Sequence, residues 1–396
     1  MKVLMLEWKS YGTEDLLEAY HLLEIETNKV PFLPHVIAGQ EKYRNELKKQ
    51  IESNDPDYVF SFNYFPGIAE ICHQLNVKYV SWIYDSPYVQ LYSYTTIYPT
   101  NYIFVFDKQL YMEFYNAQIT TVYYLPLAVN TRRLSTMTDG QYYQNAPWKN
   151  RADIAFVGAL YTENHNFYRR METISQYTKG YLEAVIAAQK HIYGYNFVQE
   201  VMTTDVLEDM KHSLGMTAFS DNAATEEYLY AQYVINREIT AEERIEILTA
   251  IGEQYNIDLY TKDKSVKIKG VYNHGMIDYY DMTPYVYKHA KINLNITLRS
   301  IASGIPLRAF DILGAGGFLL TNYQADFGDC YEAGTDYIYY DNQEDMLEKI
   351  GYFLGHEKER KEIAHNGFVR SQKDHTYEKR LERIHRILKS GYDNGE

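Results

Sequence analysis

The chain has 396 residues, a formal net charge of −14, 46% hydrophobic and 23% charged residues. That balance is globular, the length suits two ordinary domains, and the acidity argues against general nucleic-acid binding, which needs a basic footprint. No apolar run approaches the roughly 20 residues that span a bilayer; with an early N-terminal charge and only Cys72 and Cys330 as cysteines, a cytoplasmic bacterial-type enzyme without disulfides or structural zinc is expected.

The first half alternates short apolar runs with amphipathic stretches. Strands are predicted at Val3–Trp8, Tyr58–Phe62, Tyr79–Ile83, Tyr102–Phe106 and Val122–Leu125. Helices are predicted at Glu14–Leu23, Glu41–Glu52, Gly67–Leu75 and Lys108–Asn116. Such alternation builds a mostly parallel sheet wrapped by helices. After Leu125-Pro-Leu-Ala-Val-Asn130, a polar stretch to Asn150 reads as an interdomain linker.

A second strand, Asp153–Val157, ends on Gly158. Residues 166–254 read as helical and are too long for one crossover, so they form an insertion; Thr240-Ala-Glu-Glu243 is a capping box ahead of Ile245. Strand signals return at Ile257–Tyr260, Val266–Lys269, Ile292–Ile296, Phe318–Thr321 and Tyr337–Tyr339. Helices are expected at Tyr280–Lys288, Leu307–Leu313, Gln343–Leu354 and Tyr377–Leu388. The class is α/β, with domains at 1–150 and 151–376 and a closing segment at 377–396.

Tyrosine is unusually frequent, with 42 copies. Two readings stay open: rings packed inside with wet hydroxyls, or a surface where rings stack on sugars.

The segment Ile292 to Asn322 crowds polar residues and glycines between two apolar strands. Pro306 suits the first helical position, with Ser303 or Gly304 as cap. Amides at that helix start favour an anion such as a diphosphate, flanked by Arg299 and Arg308. Asp311, one turn further, suits ribose hydroxyls. Gly316 and Gly317 turn the chain into the next strand. Asn295, Thr297 and Asn322 complete the residues assigned here to a nucleotide sugar. Taken singly, each arginine reads as an ordinary surface residue; the crowding favours a site.

Asp85 follows the strand Tyr79–Ile83 and precedes Ser86-Pro87, on the edge that lines ligand crevices in open sheets. It is a candidate catalytic base towards a hydroxyl, or a turn carboxylate bonded to nearby amides. The Trp8–Gly12 turn is a weaker candidate for the same crevice. His274 sits in a predicted loop, and His365 and His375 read as surface groups. Asp55-Pro-Asp57 precedes its strand and reads as a turn, so no metal is expected. No GxGxxG follows either domain's first strand, which disfavours a dinucleotide oxidoreductase.

Several stretches resemble the CgeB-like bacterial glycosyltransferases of the spore-maturation type. They are Asn293-Leu-Asn-Ile-Thr-Leu-Arg-Ser-Ile, Gly304-Ile-Pro-Leu-Arg-Ala-Phe-Asp-Ile, Gly314-Ala-Gly-Gly-Phe-Leu-Leu-Thr-Asn, Ser81-Trp-Ile-Tyr-Asp-Ser-Pro87 and Leu125-Pro-Leu-Ala-Val-Asn130. The resemblance spans nearly the whole chain. It implies a GT-B fold, with two Rossmann-like domains facing a cleft and the donor held mainly by the C-terminal one. It implies that the last helix crosses back to the N-terminal domain, and that Ala159 to Thr162, after Gly158, approach the diphosphate. Relatives carry two glutamates eight residues apart beside the donor; Asp311 falls at the second position and Ser303 replaces the first. The implied activity is metal-independent transfer of a sugar, of hexosyltransferase type, from a nucleotide donor to a hydroxyl on a protein, glycan or small molecule. A uridine diphosphate sugar is the expected donor, with no other cofactor. A GT-B epimerase and a non-catalytic glycan-binding subunit are the alternatives.

Overall fold

The computed structural model describes residues 1–34, 41–137, 141–162, 166–218 and 220–390. Residues 138–140 of the expected linker and 391–396 of the closing segment lie outside them. The chain divides into two compact units, Met1–Val129 with Phe219–Ala224 and His375–Glu396, and Asn130–Ala218 with Thr225–Asp374. No helix among the described residues is long and apolar enough to cross a membrane.

The first unit holds β1 (Lys2–Glu7), β2 (Glu26–Pro31), β3 (Tyr58–Phe62), β4 (Lys78–Trp82), β5 (Asn101–Val105) and β6 (Val122–Tyr124). They form one sheet in the order β2-β1-β3-β4-β5-β6, parallel throughout. β3 reads YVFSF and is buried at every position, as a central parallel strand must be. β2 reads ETNKVP and was invisible to an apolar-run search, because an edge strand keeps charged, exposed side chains. The crossover helix Lys108–Asn116 starts where the Asp107 carboxylate accepts from the Gln109 and Leu110 amides. The helix Tyr377–Ser390 completes this unit by burying Leu381, Ile384, Ile387 and Leu388. Arg380 fixes its start by donating to the carbonyls of Pro126 (2.8 Å) and Leu127 (3.0 Å). Arg380 also donates to His375 Nδ1 at 2.8 Å, so His375, expected on the surface, is buried as the partner of a buried guanidinium.

The second unit holds β7 (Ile154–Val157), β8 (Ile257–Tyr260), β9 (Val271–Asn273), β10 (Ile292–Asn295), β11 (Leu319–Asn322) and β12 (Ile338–Tyr340). Their order is β12-β11-β10-β7-β8-β9, again parallel throughout. The expected strand Val266–Lys269 is a loop whose Val266 and Ile268 still pack on the core. The strand begins only after Gly270, whose φ of +75° and close approach to the Gly252 backbone make the turn. The described residues of the expected linker fold into this unit: Tyr143 and Trp148 cluster with Tyr260 and Tyr285.

The insertion contains Gln176–Lys190, Thr204–Leu214, Glu226–Tyr230 and Asn236–Gln254, the last entered through a π-helical turn at Ala231–Ile235. It has its own core around Leu182, Ile186, Val206, Met210, Val234 and Ile235. Thr240 caps nothing: it lies inside Asn236–Gln254, and its hydroxyl donates to the Asn236 carbonyl at 2.7 Å. The Thr-x-x-Glu spacing that marks a capping box also puts Thr240 and Glu243 on one helical face, and here that face is buried. The 18-residue helix Glu357–Asp374 escaped the pattern search because it is largely polar; Gly367 lets it close onto the Asp336 carbonyl.

Candidate active site

In each sheet the strand order reverses at one pair, β1/β3 in the first unit and β7/β10 in the second. Loops leaving the C-terminal ends of such a pair diverge and open a crevice. In the second unit that point lies between Val157-Gly158, after β7, and Ile296, after β10.

Two arginines occupy it. Arg308 donates through Nε to Asn295 Oδ1 (2.9 Å), through Nη1 to the Val157 carbonyl (2.8 Å) and through Nη2 to the Ile296 carbonyl (3.0 Å). Arg244, from the insertion's last helix, donates to the Ala159 carbonyl and to the same Ile296 carbonyl. Both guanidiniums lie over the Phe156 ring, at 4.9 and 5.3 Å. Neither forms an ion pair among the described residues, and Arg244 Nε has no hydrogen-bond partner among them. Burial, then repulsion from Arg244, pushes the Arg308 pKa down to about 10, and burial lowers that of Arg244. Arg244 is buried and Arg308 half-buried; the two like charges share carbonyl dipoles and have no ion pair among the described residues, the Glu243 carboxylate that acts on Arg244 being paired with Arg299, and such a pair is the electrostatic complement of an anion. Arg308 was expected beside a diphosphate; Arg244 was missed. Its signal was a cation inside the apolar stripe of Ile247, Leu248 and Ile251.

Gly158 is explained by this pair, since a Cβ there would collide with Arg308 Nη1. Asn295, Thr297 and Asn322 form a buried network. Asn295 Nδ2 donates to Thr297 Oγ1 (3.0 Å) and Thr321 Oγ1 (2.8 Å), and the Thr297 amide donates to Asn322 Oδ1 (2.8 Å). The network presents Asn295 Oδ1 to Arg308. Ser303 and Gly304 are buried in the loop that follows; Pro306 is the N-cap rather than the first helical residue, and Leu307–Gly314 starts without a side-chain cap.

Arg299 turns elsewhere. Its Nε and Nη2 pair with Glu243 at 2.9 and 2.8 Å, its Nη1 donates to the Ile192 carbonyl at 2.7 Å, and its amide donates to Thr240 Oγ1 at 3.0 Å. The two capping-box residues thus both hold Arg299. Asp311 is buried and accepts from the Tyr279 hydroxyl at 3.0 Å. The hollow beside it, lined also by Arg133 and Tyr287, measures about 10 Å³, the room of one water. Gly316 and Gly317 end the helix at the start of β11, the sheet edge away from the crevice.

In the first unit, Asp85 follows β4 and is exposed. Asn63, after β3, donates to Asp85 Oδ2 at 2.7 Å and accepts through Oδ1 from the amides of Tyr84 (2.9 Å) and Asp85 (3.2 Å). Asn63 adopts a left-handed φ of 60°, which asparagine tolerates, and its side chain holds this carboxylate. Gly12, the N-cap of Thr13–Leu22 at φ 80°, lies under the hydroxyls of Tyr84 and Tyr377, which are 3.1 Å apart. His274 is not a solvated loop residue: its Nε2 lies 2.7 Å from Asp258 Oδ1, with both side chains nearly inaccessible.

Residues 237–386 match a family model described as glycosyl transferase-like. The whole chain is similar in structure to a glycosyltransferase from Rickettsia africae ESF-5 (10% identity, TM-score 0.51, covering 100% of this chain and 99% of that one). It is similar to sucrose-phosphate synthase from Thermosynechococcus elongatus (9% identity, TM-score 0.54, 99% and 100%). It is also similar to HepE from Anabaena, solved with UDP-glucose (10% identity, TM-score 0.52, 98% and 100%). No curated protein matches by sequence. The fold is that of the GT-B glycosyltransferases, and residues 237–386 within it are similar to a glycosyl transferase-like family.

Proposed function

We propose that the protein transfers a sugar from a nucleoside diphosphate donor to a hydroxyl acceptor, with the diphosphate seated against Arg244 and Arg308. The observation that carries this reading is the pair of guanidiniums at the β7/β10 switch point that form no ion pair among the described residues. As the anomeric carbon–oxygen bond breaks, charge grows on the departing diphosphate, and fixed cations in a water-poor crevice stabilise it. The uncapped start of Leu307–Gly314 adds amide dipoles of the same sign. Arg299, with its donors taken by Glu243 and carbonyls, is assigned to holding the loop rather than the phosphate.

Asp85 is proposed as the acceptor-side carboxylate, its orientation set by Asn63. The HepE complex with UDP-glucose favours a uridine diphosphate sugar as donor, and the signature stretches favour the CgeB-like subtype. The test is a thermal-shift screen of uridine, guanosine, thymidine and cytidine diphosphate sugars, followed by product analysis with and without acceptors. A donor at a hundredfold its Kd adds about 2.7 kcal/mol of stability. Asp85→Asn is expected to lower kcat by about 10²–10⁴ with donor affinity unchanged. No shift with any donor would overturn the reading.

A further inference from the structure

The helix Asn236–Gln254, which carries Arg244, bears a second arginine on the same face. Arg237 stands seven residues earlier, close to two helical turns, so the two side chains leave the helix in nearly the same direction. Both guanidiniums lie over the ring of Tyr161, Arg244 at 5.2 Å and Arg237 at 5.9 Å. Tyr161 belongs to the loop that leaves β7 at the switch point, where Arg244 donates to the Ala159 carbonyl. Arg237 therefore flanks the same loop as the pair assigned to the diphosphate.

Arg237 makes no hydrogen bond and no ion pair among the described residues, and its Nε is buried without a partner. The adjacent carboxylate, Glu238, is already taken by Asn166 and Arg169. What Arg237 does meet is aromatic: the Tyr161 ring and the Tyr233 ring, the latter at 5.5 Å. Rings attract a cation through their faces but give its N–H groups no strong acceptor. The residue is half-buried, and a partly desolvated guanidinium without acceptors is costly unless a ligand supplies them. Two backbone irregularities meet at this contact. Tyr161 holds a φ of 58°, rare for a bulky side chain, and the π-helical turn Ala231–Ile235 ends just before Arg237. Both kinds of irregularity concentrate at functional sites.

We propose that Arg237 is a specificity-determining residue that reads a carboxylate on the donor's sugar, so that the transferred unit is an acidic sugar of the uronate class. The proposal rests on the reading of Arg244 and Arg308 as the diphosphate site. Seven residues of helix separate Arg237 from Arg244 by about 10 Å. That is too far for both to grip one diphosphate, and it suits a diphosphate extended by one sugar ring. A planar guanidinium matches a carboxylate with two parallel hydrogen bonds. A neutral hexose in the same place would leave Arg237 without a counter-charge.

The experiment is calorimetry on the full chain with two matched pairs, UDP-glucose with UDP-glucuronate and GDP-mannose with GDP-mannuronate. Within the pair whose base the protein accepts, the acidic donor is expected to bind about tenfold tighter or more, the worth of a bond between charged groups. Arg237→Gln should abolish that preference by weakening the acidic donor alone, and Arg237→Lys should keep part of it. The melting temperature should stay that of the parent, because the side chain removed holds no hydrogen bond within the described residues. Arg308→Gln should weaken both members of the pair alike. Equal affinity for the two members, or a preference that survives Arg237→Gln, would overturn this inference and leave the diphosphate reading standing. Binding of none of the four donors would refute the diphosphate reading and this inference with it.

Discussion

Replacing Arg308 with glutamine separates what its charge costs from what it is for. A guanidinium whose pKa burial lowers to about 10 stays charged at neutral pH, at a cost on the order of 3 kcal/mol, taking about 1.4 kcal/mol per tenfold change in proton affinity. Its three hydrogen bonds go to neutral acceptors and contribute about 1 kcal/mol each. The two terms nearly cancel, so Arg308→Gln should leave the unliganded protein within about 1 kcal/mol of the parent. Bonds from a charged donor to a diphosphate are worth about 1.5–3 kcal/mol. Affinity for uridine diphosphate, measured by calorimetry at pH 7.5, should therefore fall roughly 10- to 150-fold, and kcat/KM by at least as much. Arg244→Gln should behave alike. Affinities within twofold of the parent for both variants would refute the assignment of the pair to an anion.

Gly158→Ala places a methyl group where Arg308 Nη1 sits; it should reproduce the affinity loss of Arg308→Gln and add little in the double variant, as calorimetric coupling would show. Arg299→Met leaves the Glu243 carboxylate inside the protein without its cationic partner, with only the Tyr193 hydroxyl donating to it; urea unfolding should show a loss of about 3–5 kcal/mol, and Glu243→Leu in the same chain should restore much of it. His385 lies 3.0 Å from the Tyr58 hydroxyl, and burial, then Lys389, pushes its pKa down to about 4 from 6.5. The folded state thus holds this imidazole neutral while the unfolded chain protonates it, so stability is complete above pH 6.5 and is lost as pH falls towards 4. Partial exposure and screening reduce the size of that slope; His385→Gln should flatten it in denaturant midpoints measured across the window.

The parallel sheets were largely legible because parallel strands are buried on both faces and read as apolar runs, as β3 and β7 do. β2 failed that test for the opposite reason: an edge strand is defined by its neighbour's hydrogen bonds, and its own side chains face water. Arg308 is read from its place beside a helix start, and the structure sets it at the β7/β10 switch point. The sequence around Arg299 does not show that Glu243 and Thr240, more than 50 residues earlier, reach it first. Arg244 is the converse case, a charge in an apolar helical stripe whose use appears only when two strand ends are brought beside it. Of the tyrosines, Tyr20, Tyr58 and Tyr79 follow the reading of rings packed inside.

The discontinuity of the first unit bears on how the protein is made. Its sheet is synthesised within residues 1–129, yet the helix Tyr377–Ser390 that covers Tyr58 and Lys78 comes some 250 positions later. At about 5–20 residues per second, the ribosome takes on the order of tens of seconds over that gap. During it the nascent sheet displays the apolar seat of Leu381, Ile384 and Ile387 with nothing to fill it. A chaperone that shields this seat during synthesis, rather than one acting on the released chain, is the kind that would raise the yield of active protein.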